Sequence, residues 1–168
     1  MAFIETDITK LNENFIKIIS EDWMLLAAGD EKKHNEMTVS WGGMGFLWNE
    51  PVATVYVRPQ RYTDLFMQQK TNFSLCVFDN TYRDMLKKAG AISGKDIDKT
   101  QELRLTPLYN KDTVYFEQAR LVLLCEKVYA DKIEPQNFIN ADMSDKFYPN
   151  KDYHTLYIGT IKKVLIKA

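Results

Sequence analysis

MTVSWGGMGFLW, Met37 to Trp48, opens like a strand and then sets three glycines among two tryptophans, two methionines and a phenylalanine. Glycine lets a flat ligand or another backbone come close. Large rings usually need cover. The stretch therefore reads as a strand whose end lies against another surface, and it asks what that surface is.

Working outward, WMLLAAG (Trp23–Gly29) has the pattern of a strand stopped by Gly29, and the charged DEKKHN that follows reads as a turn or loop. EMTVSWG (Glu36–Gly42) is the second predicted strand and PVATVYVR (Pro51–Arg58) the third, with Pro51 at a first position where no ladder donor is needed. Asn72–Phe78, Ala119–Ile133 and His154–Ile166 complete a set of six. Several are apolar on both faces, so one face fills a core and the other needs a helix or a second subunit over it. TDLFMQQK reads as a helix with Thr63 as N-cap, placing Leu65 and Phe66 beside Tyr62. NTYRDMLKKAG spaces Tyr82, Met85, Leu86 and Ala89 at i, i+3, i+4 and i+7, with Gly90 as its stop. DIDKTQELR suggests a short third helix capped by Asp96. Many strands with short helical insertions point to a mainly β barrel or sandwich. With no repeats and no Pro/Gly/Ser linker, residues 1–168 read as one domain.

Composition removes several functions. The formal net charge is −1 and no Lys/Arg run occurs, which argues against nucleic acid as a partner. No apolar run approaches a membrane span. The acidic MAFIETDITK lacks the features of a secretory signal, so the expected location is the cytoplasm. Cys76 and Cys125 each sit in an apolar run and read as buried, reduced packing residues. No metal site is expected, because His34 and His154 are far apart and no CxxC, HxH or HExxH spacing occurs.

Three further stretches can carry chemistry. In RPQRYTDLF a strand ends at Arg58, Pro59 turns the chain, and a helix begins near Thr63. Helix N-terminal N–H groups, two guanidinium forks and a hydroxyl there suit a phosphate; a capped helix with solvated arginines fits the same residues. AISGKDIDK combines Ser93, Gly94, Lys95 and Lys99 as a small anion nest or ordinary turn chemistry. In YPNKDYHTLYIG, His154 at a strand start is a proton donor, a neighbour of a redox site, or a hydrogen-bonded residue at a barrel rim. Neither a Walker loop nor a GxGxxG fingerprint occurs.

NEMTVSWGGMG, RPQRYT, SGKDIDK and YHTLYIGTI, in that order and spacing, resemble the flavin reductase-like family, and the flavoredoxin-like branch in particular. The resemblance runs from about Trp23 onward. It implies an FMN-binding split β-barrel, a Greek-key antiparallel barrel with helical insertions, in a small homodimeric protein. It further implies that Met37, Thr38, Val39, Ser40 and Trp41 lie along the isoalloxazine, with Gly42, Gly43 and Gly45 allowing a close turn. Arg58, Gln60, Arg61, Tyr62 and Thr63 would hold the ribityl phosphate, and Ser93, Gly94 and Lys99 would form a second ligand loop. His154 falls near the flavin or nicotinamide side as a catalytic candidate. The implied activity is NAD(P)H-dependent reduction of flavin or another acceptor, with NADH or NADPH as donor. The alternative is a flavoredoxin-like carrier with bound FMN and a protein redox partner. Thr100 departs from the family, where an aromatic residue often follows the Asp-Lys of the second loop.

Overall fold

The computed structural model describes residues 2–168. Ten strands occur among them: β1 (Phe3–Thr6), β2 (Met24–Gly29), β3 (His34–Val39), β4 (Gly42–Leu47), β5 (Glu50–Val57), β6 (Asn72–Val77), β7 (Pro107–Asn110), β8 (Thr113–Phe116), β9 (Leu121–Lys132) and β10 (Thr155–Lys167). The helices are α1 (Phe15–Lys17), which runs into a π-turn at Ile18–Asp22, then α2 (Tyr62–Gln69), α3 (Arg83–Ala91), α4 (Lys99–Glu102) and α5 (Ala141–Phe147). Eight strands form one sheet in the order β3-β2-β6-β9-β10-β5-β4, with β1 added to β10, and β7 and β8 make a separate hairpin. Every pairing is antiparallel.

The opening stretch is where the barrel splits. β3 and β4 are consecutive in the chain and joined through Ser40 and Trp41, yet they stand at opposite ends of the strand order and do not pair. Gly42 makes that turn possible. Its φ is +139°, and a Cβ there would fall 2.2 Å from the Thr54 carbonyl oxygen of β5. The predicted strand Glu36–Gly42 is thus two elements: β3 ends at Val39, and Gly42 begins β4. Gly45 needs no such explanation, since a Cβ there would meet nothing within 4 Å.

Strand alternation fills two cores. Met24, Leu26, Met37, Val39, Val55, Val57, Phe73, Leu75, Leu121, Leu123 and Tyr157 meet inside the barrel. Their neighbours Leu25, Ala27, Cys76, Val122 and Leu124 face outward against Leu86 and Ala89 of α3 and Val114 and Phe116 of β8. Burying one such side chain contributes roughly 1.5–3 kcal/mol. The second apolar face is thus covered by a helix and a hairpin of the same chain, not by a second subunit. Cys76 and Cys125 are free and buried, as the sequence suggested. The band that stays open lies elsewhere: Phe46 and Trp48 of the β4 hairpin are 73% and 60% exposed. Tyr129 of β9 lies beside Trp48, 6.3 Å between ring centroids.

Other boundaries move for local reasons. Arg61, not Thr63, is the N-cap of α2, and it caps without its side chain, because Thr63 already sits inside the first turn. Tyr62 and Phe66 pack edge to face at 5.4 Å, but Leu65 is exposed. Gly90 does not stop α3, which continues to Ala91 and ends where Ile92 turns extended. Asp98, not Asp96, caps α4, its carboxylate accepting from the Gln101 N–H. The N-terminal segment, which carried no usable motif, supplies β1 and pairs Phe3 with Lys167.

Candidate functional site

Two adjoining pockets occupy the cleft between β3, the β5–α2 turn and α3. The larger, about 440 Å³, is lined by Met37–Trp41, Arg58, Arg61 and His154, together with Trp23, Tyr56, Leu86, Lys87 and Gly90. The smaller, about 160 Å³, is lined by Gln60, Arg61, Tyr62, Thr63, Ser93, Gly94 and Lys99, with Asn35, Met37, Ala91 and Ile92. Fourteen of the candidates named from the sequence therefore fall on one wall or the other, and Met37 and Arg61 belong to both; Lys95 and the glycines at 42, 43 and 45 line neither.

β3 gives the larger pocket its polar edge. At the mouth of the β2–β3 hairpin the Asp30 N–H donates to the Lys33 carbonyl, and the Glu36 carbonyl is taken from outside the sheet by Lys99. Backbone groups of an antiparallel strand alternate between its two sides. Thr38, two residues from Glu36, therefore turns its N–H and C=O to the unpaired side of this end strand. Its side chain is engaged separately, the hydroxyl donating to the Leu86 carbonyl of α3 at 2.5 Å.

The two arginines differ. Arg58 forms an ion pair with Asp152 at 2.6 Å, donates to the Phe147 carbonyl at 3.0 Å, and lies over the Tyr148 ring at 5.1 Å. Gln60 joins it, donating to the same Asp152 oxygen at 2.7 Å. Arg61 donates to the Gly90 carbonyl at 2.9 Å, and burial pulls its ionisation down. No carboxylate pairs with it among the described residues.

The wall opposite α3 is aromatic. Trp41 lies 5.2 Å from His154 and 5.7 Å from Phe147 between ring centroids, and Tyr56 stands edge-on to His154 at 6.3 Å. His154 Nδ1 meets the Tyr148 hydroxyl at 2.8 Å. Burial, aided by Arg58 and opposed by Asp152, pulls its pKa to about 4. The ring is therefore neutral at neutral pH.

Lys99 is buried and already engaged. Its ammonium donates to the Glu36 carbonyl at 2.5 Å and to the Ala89 carbonyl at 2.8 Å, bracing the end of α3 against β3. The Glu36 side chain beside it is buried too, with Oε1 lacking a partner. Burial pushes this carboxyl up and the Lys99 ammonium down, each partly offset by the other's charge. Ser93 Oγ accepts the Lys95 N–H at 3.2 Å, closing a turn around Gly94. Thr100 does not face the cleft; its hydroxyl meets His34 Nε2 at 3.0 Å.

Sequence reasoning missed Asn35, Trp23 and Tyr56. Asn35 ended a charged run and was assigned to a loop, whereas it belongs to β3. Trp23 precedes β2 with φ +67°, a conformation its residue type does not announce. Tyr56 is one of several aromatics on strands, with nothing local to mark it.

No protein-family model and no curated protein sequence matches the chain. Solved structures do. An FMN-binding domain of a flavin reductases-like enzyme from Shewanella baltica superposes with a TM-score of 0.70 at 15% identity, over 98% of this chain and 77% of that one. A flavoredoxin from Methanosarcina acetivorans gives 0.69 at 20% identity, over 96% and 76%. The styrene monooxygenase flavin reductase of Pseudomonas putida gives 0.59 at 14% identity, over 85% and 77%. The chain has the split-barrel fold of these proteins.

Proposed function

We propose that this chain binds FMN in the paired pockets and works as an oxidoreductase of the flavin reductase type, drawing electrons from NADH or NADPH. The observation that carries the reading is the junction at Arg61. There an open strand edge and an aromatic wall, suited to a flat ring system, meet a small pocket of hydrogen-bond donors suited to a phosphate. The donor set fits FMN in its parts: the outward Thr38 backbone for the polar edge of the ring, and Arg61, the Ser93–Gly94 turn and the first turn of α2 for the phosphate. When bound, FMN supplies electron and hydride exchange between a donor and an acceptor. The chain's own part is to bind and orient: Lys99 fixes the gap between α3 and β3, and neutral His154, held by Tyr148, offers a hydrogen bond. Arg58, tied to Asp152, steadies the segment around α5 beside the pocket instead of facing the phosphate.

A second reading, a flavoredoxin-like carrier that exchanges electrons with a protein partner, is favoured by Thr100. Turned to His34, it offers no ring against which a nicotinamide could stack. In either reading a homodimer formed through Phe46, Trp48 and Tyr129 would cover the apolar band left open on β4 and β9. We place the protein in the cytoplasm, as one domain, with no nucleic acid or membrane as partner; among the described residues no helix is long and apolar enough to cross a membrane.

The test is the visible spectrum of protein incubated with FMN, desalted, and mixed anaerobically with each nicotinamide. A retained flavin that bleaches with NADH or NADPH supports the reductase and names the donor. A retained flavin that bleaches only with dithionite favours the carrier. Failure to retain or to titrate with FMN overturns both.

A further inference from the structure

Asn35, the second residue of β3, is 4% exposed and lies between the two turns that frame the small pocket. Its Nδ2 donates to Thr63 Oγ1 at 2.7 Å and reaches the Glu36 carbonyl at 3.3 Å. These partners fix the amide's orientation, because a flipped amide would set its oxygen against a backbone carbonyl. A hydroxyl that accepts one hydrogen bond keeps its own hydrogen for another partner. No carbonyl of α2 takes that hydrogen: the Asn35 contact is the only hydrogen bond of Thr63 Oγ1 among the described residues. Thr63 is 1% exposed and lines the small pocket, so the pocket is where the hydrogen can go. From the other side Gly94 closes on Asn35, and a Cβ on it would fall 1.8 Å from Asn35 Oδ1. The two candidate anion turns, α2 and Ser93–Gly94, are thus linked through one buried amide.

We propose that Asn35 is a positioning residue that holds the Thr63 hydroxyl as a hydrogen-bond donor to the phosphate of a flavin nucleotide, so that the chain selects phosphorylated over unphosphorylated flavin. The proposal rests on the FMN reading above. It also explains why residue 94 lacks a side chain: with a Cβ there, Asn35 could not stay where it meets Thr63.

The experiment compares dissociation constants for FMN and riboflavin, by flavin-fluorescence titration, in wild type, Asn35→Ala, Asn35→Asp, Thr63→Val, Thr63→Ser and the double variant Asn35→Ala/Thr63→Val. A hydrogen bond to a charged group is worth enough to weaken FMN binding roughly ten- to a hundredfold in Asn35→Ala and Thr63→Val. Riboflavin binding should be unmoved and Thr63→Ser should retain the preference. The double variant should be no weaker than Thr63→Val alone, because both remove one interaction. Should Asn35→Ala fail to fold, the nearly isosteric Asn35→Asp carries the test: a carboxylate there makes Thr63 donate away from the pocket, and the preference for FMN is lost. An unchanged FMN-to-riboflavin ratio in folded Asn35→Ala or Asn35→Asp, or additive losses in the double variant, overturns the proposal and leaves the FMN reading standing. Absence of FMN binding by wild type overturns both.

Discussion

The two pockets share Met37 and Arg61 but differ in their walls, one mostly apolar and aromatic, the other mixed. The large one is walled by Trp23, Trp41, Tyr56 and Leu86, and its charged residues Arg58 and Lys87 are paired with Asp152 and Asp84. The small one is walled by Thr63, Ser93, Gly94 and Lys99, and Arg61 reaches it with no carboxylate of the described residues on its guanidinium. Two arginines three residues apart, alike in the sequence, end in different electrostatic states. What marks an anion site is therefore not a positive side chain in the lining but a donor whose hydrogens still lack an acceptor.

The strongest way to break this contrast is to remove its brace. Lys99→Met leaves the Glu36 and Ala89 carbonyls without their ammonium, and chemical denaturation should show a loss of about 3 kcal/mol. A loss below about 1 kcal/mol would mean that Lys99 is not what holds α3 to β3. Next comes pH. His154 titrates near 4 in the folded chain and near 6.5 when unfolded, so the unfolded state takes up the proton first. Its contribution to stability is full above about pH 6.5 and falls away as the pH drops toward 4, by roughly 2–3 kcal/mol. A His154→Gln variant should show a shallower fall across that window; parallel curves would refute a buried neutral imidazole. Third, Arg61→Ala should weaken FMN binding roughly ten- to a hundredfold, and Arg58→Ala only a few-fold. Equal losses in an FMN titration would erase the distinction between the pockets. The smallest effect sharpens the reading of the opening stretch. Gly45→Ala should change stability by less than about 0.5 kcal/mol, whereas Gly42→Ala, with its positive φ and the Thr54 carbonyl in the way, should cost well beyond that in a thermal melt.

The sequence was most legible where one side chain's periodicity decided the outcome. Strands at Met24–Gly29, Glu50–Val57 and Asn72–Val77 lie within a residue or so of their apolar runs, because one or both faces are buried. β1, β7 and β8 went unread, since each is only four residues long, and so did β4 beyond Gly42, where three glycines hide the strand pattern. For the site, the positions were readable and their states were not. Arg58 and Arg61 look equivalent until Asp152, nearly a hundred residues on, is folded against one of them. Lys99 reads as a ligand-facing lysine in SGKDIDK, and only the fold shows two backbone carbonyls already on its ammonium. Asn35 was invisible because its role depends on Thr63 and Gly94, both remote in sequence.

β10 does two jobs along its length. Its start pairs Thr155 with Val57 next to the pocket, and its far end pairs Lys167 with Phe3. The β2–β3 hairpin closes over a few residues and forms early, but β10 must find partners across most of the sequence, and such distant pairings form slowly. During synthesis the strand edge and both arginines emerge well before His154 does. The cleft therefore exists first as an unfinished half, with the lining of the small pocket made before the His154 side of the large one. A cell that makes this protein quickly would meet, for a time, a population with the free edge of β3 bare.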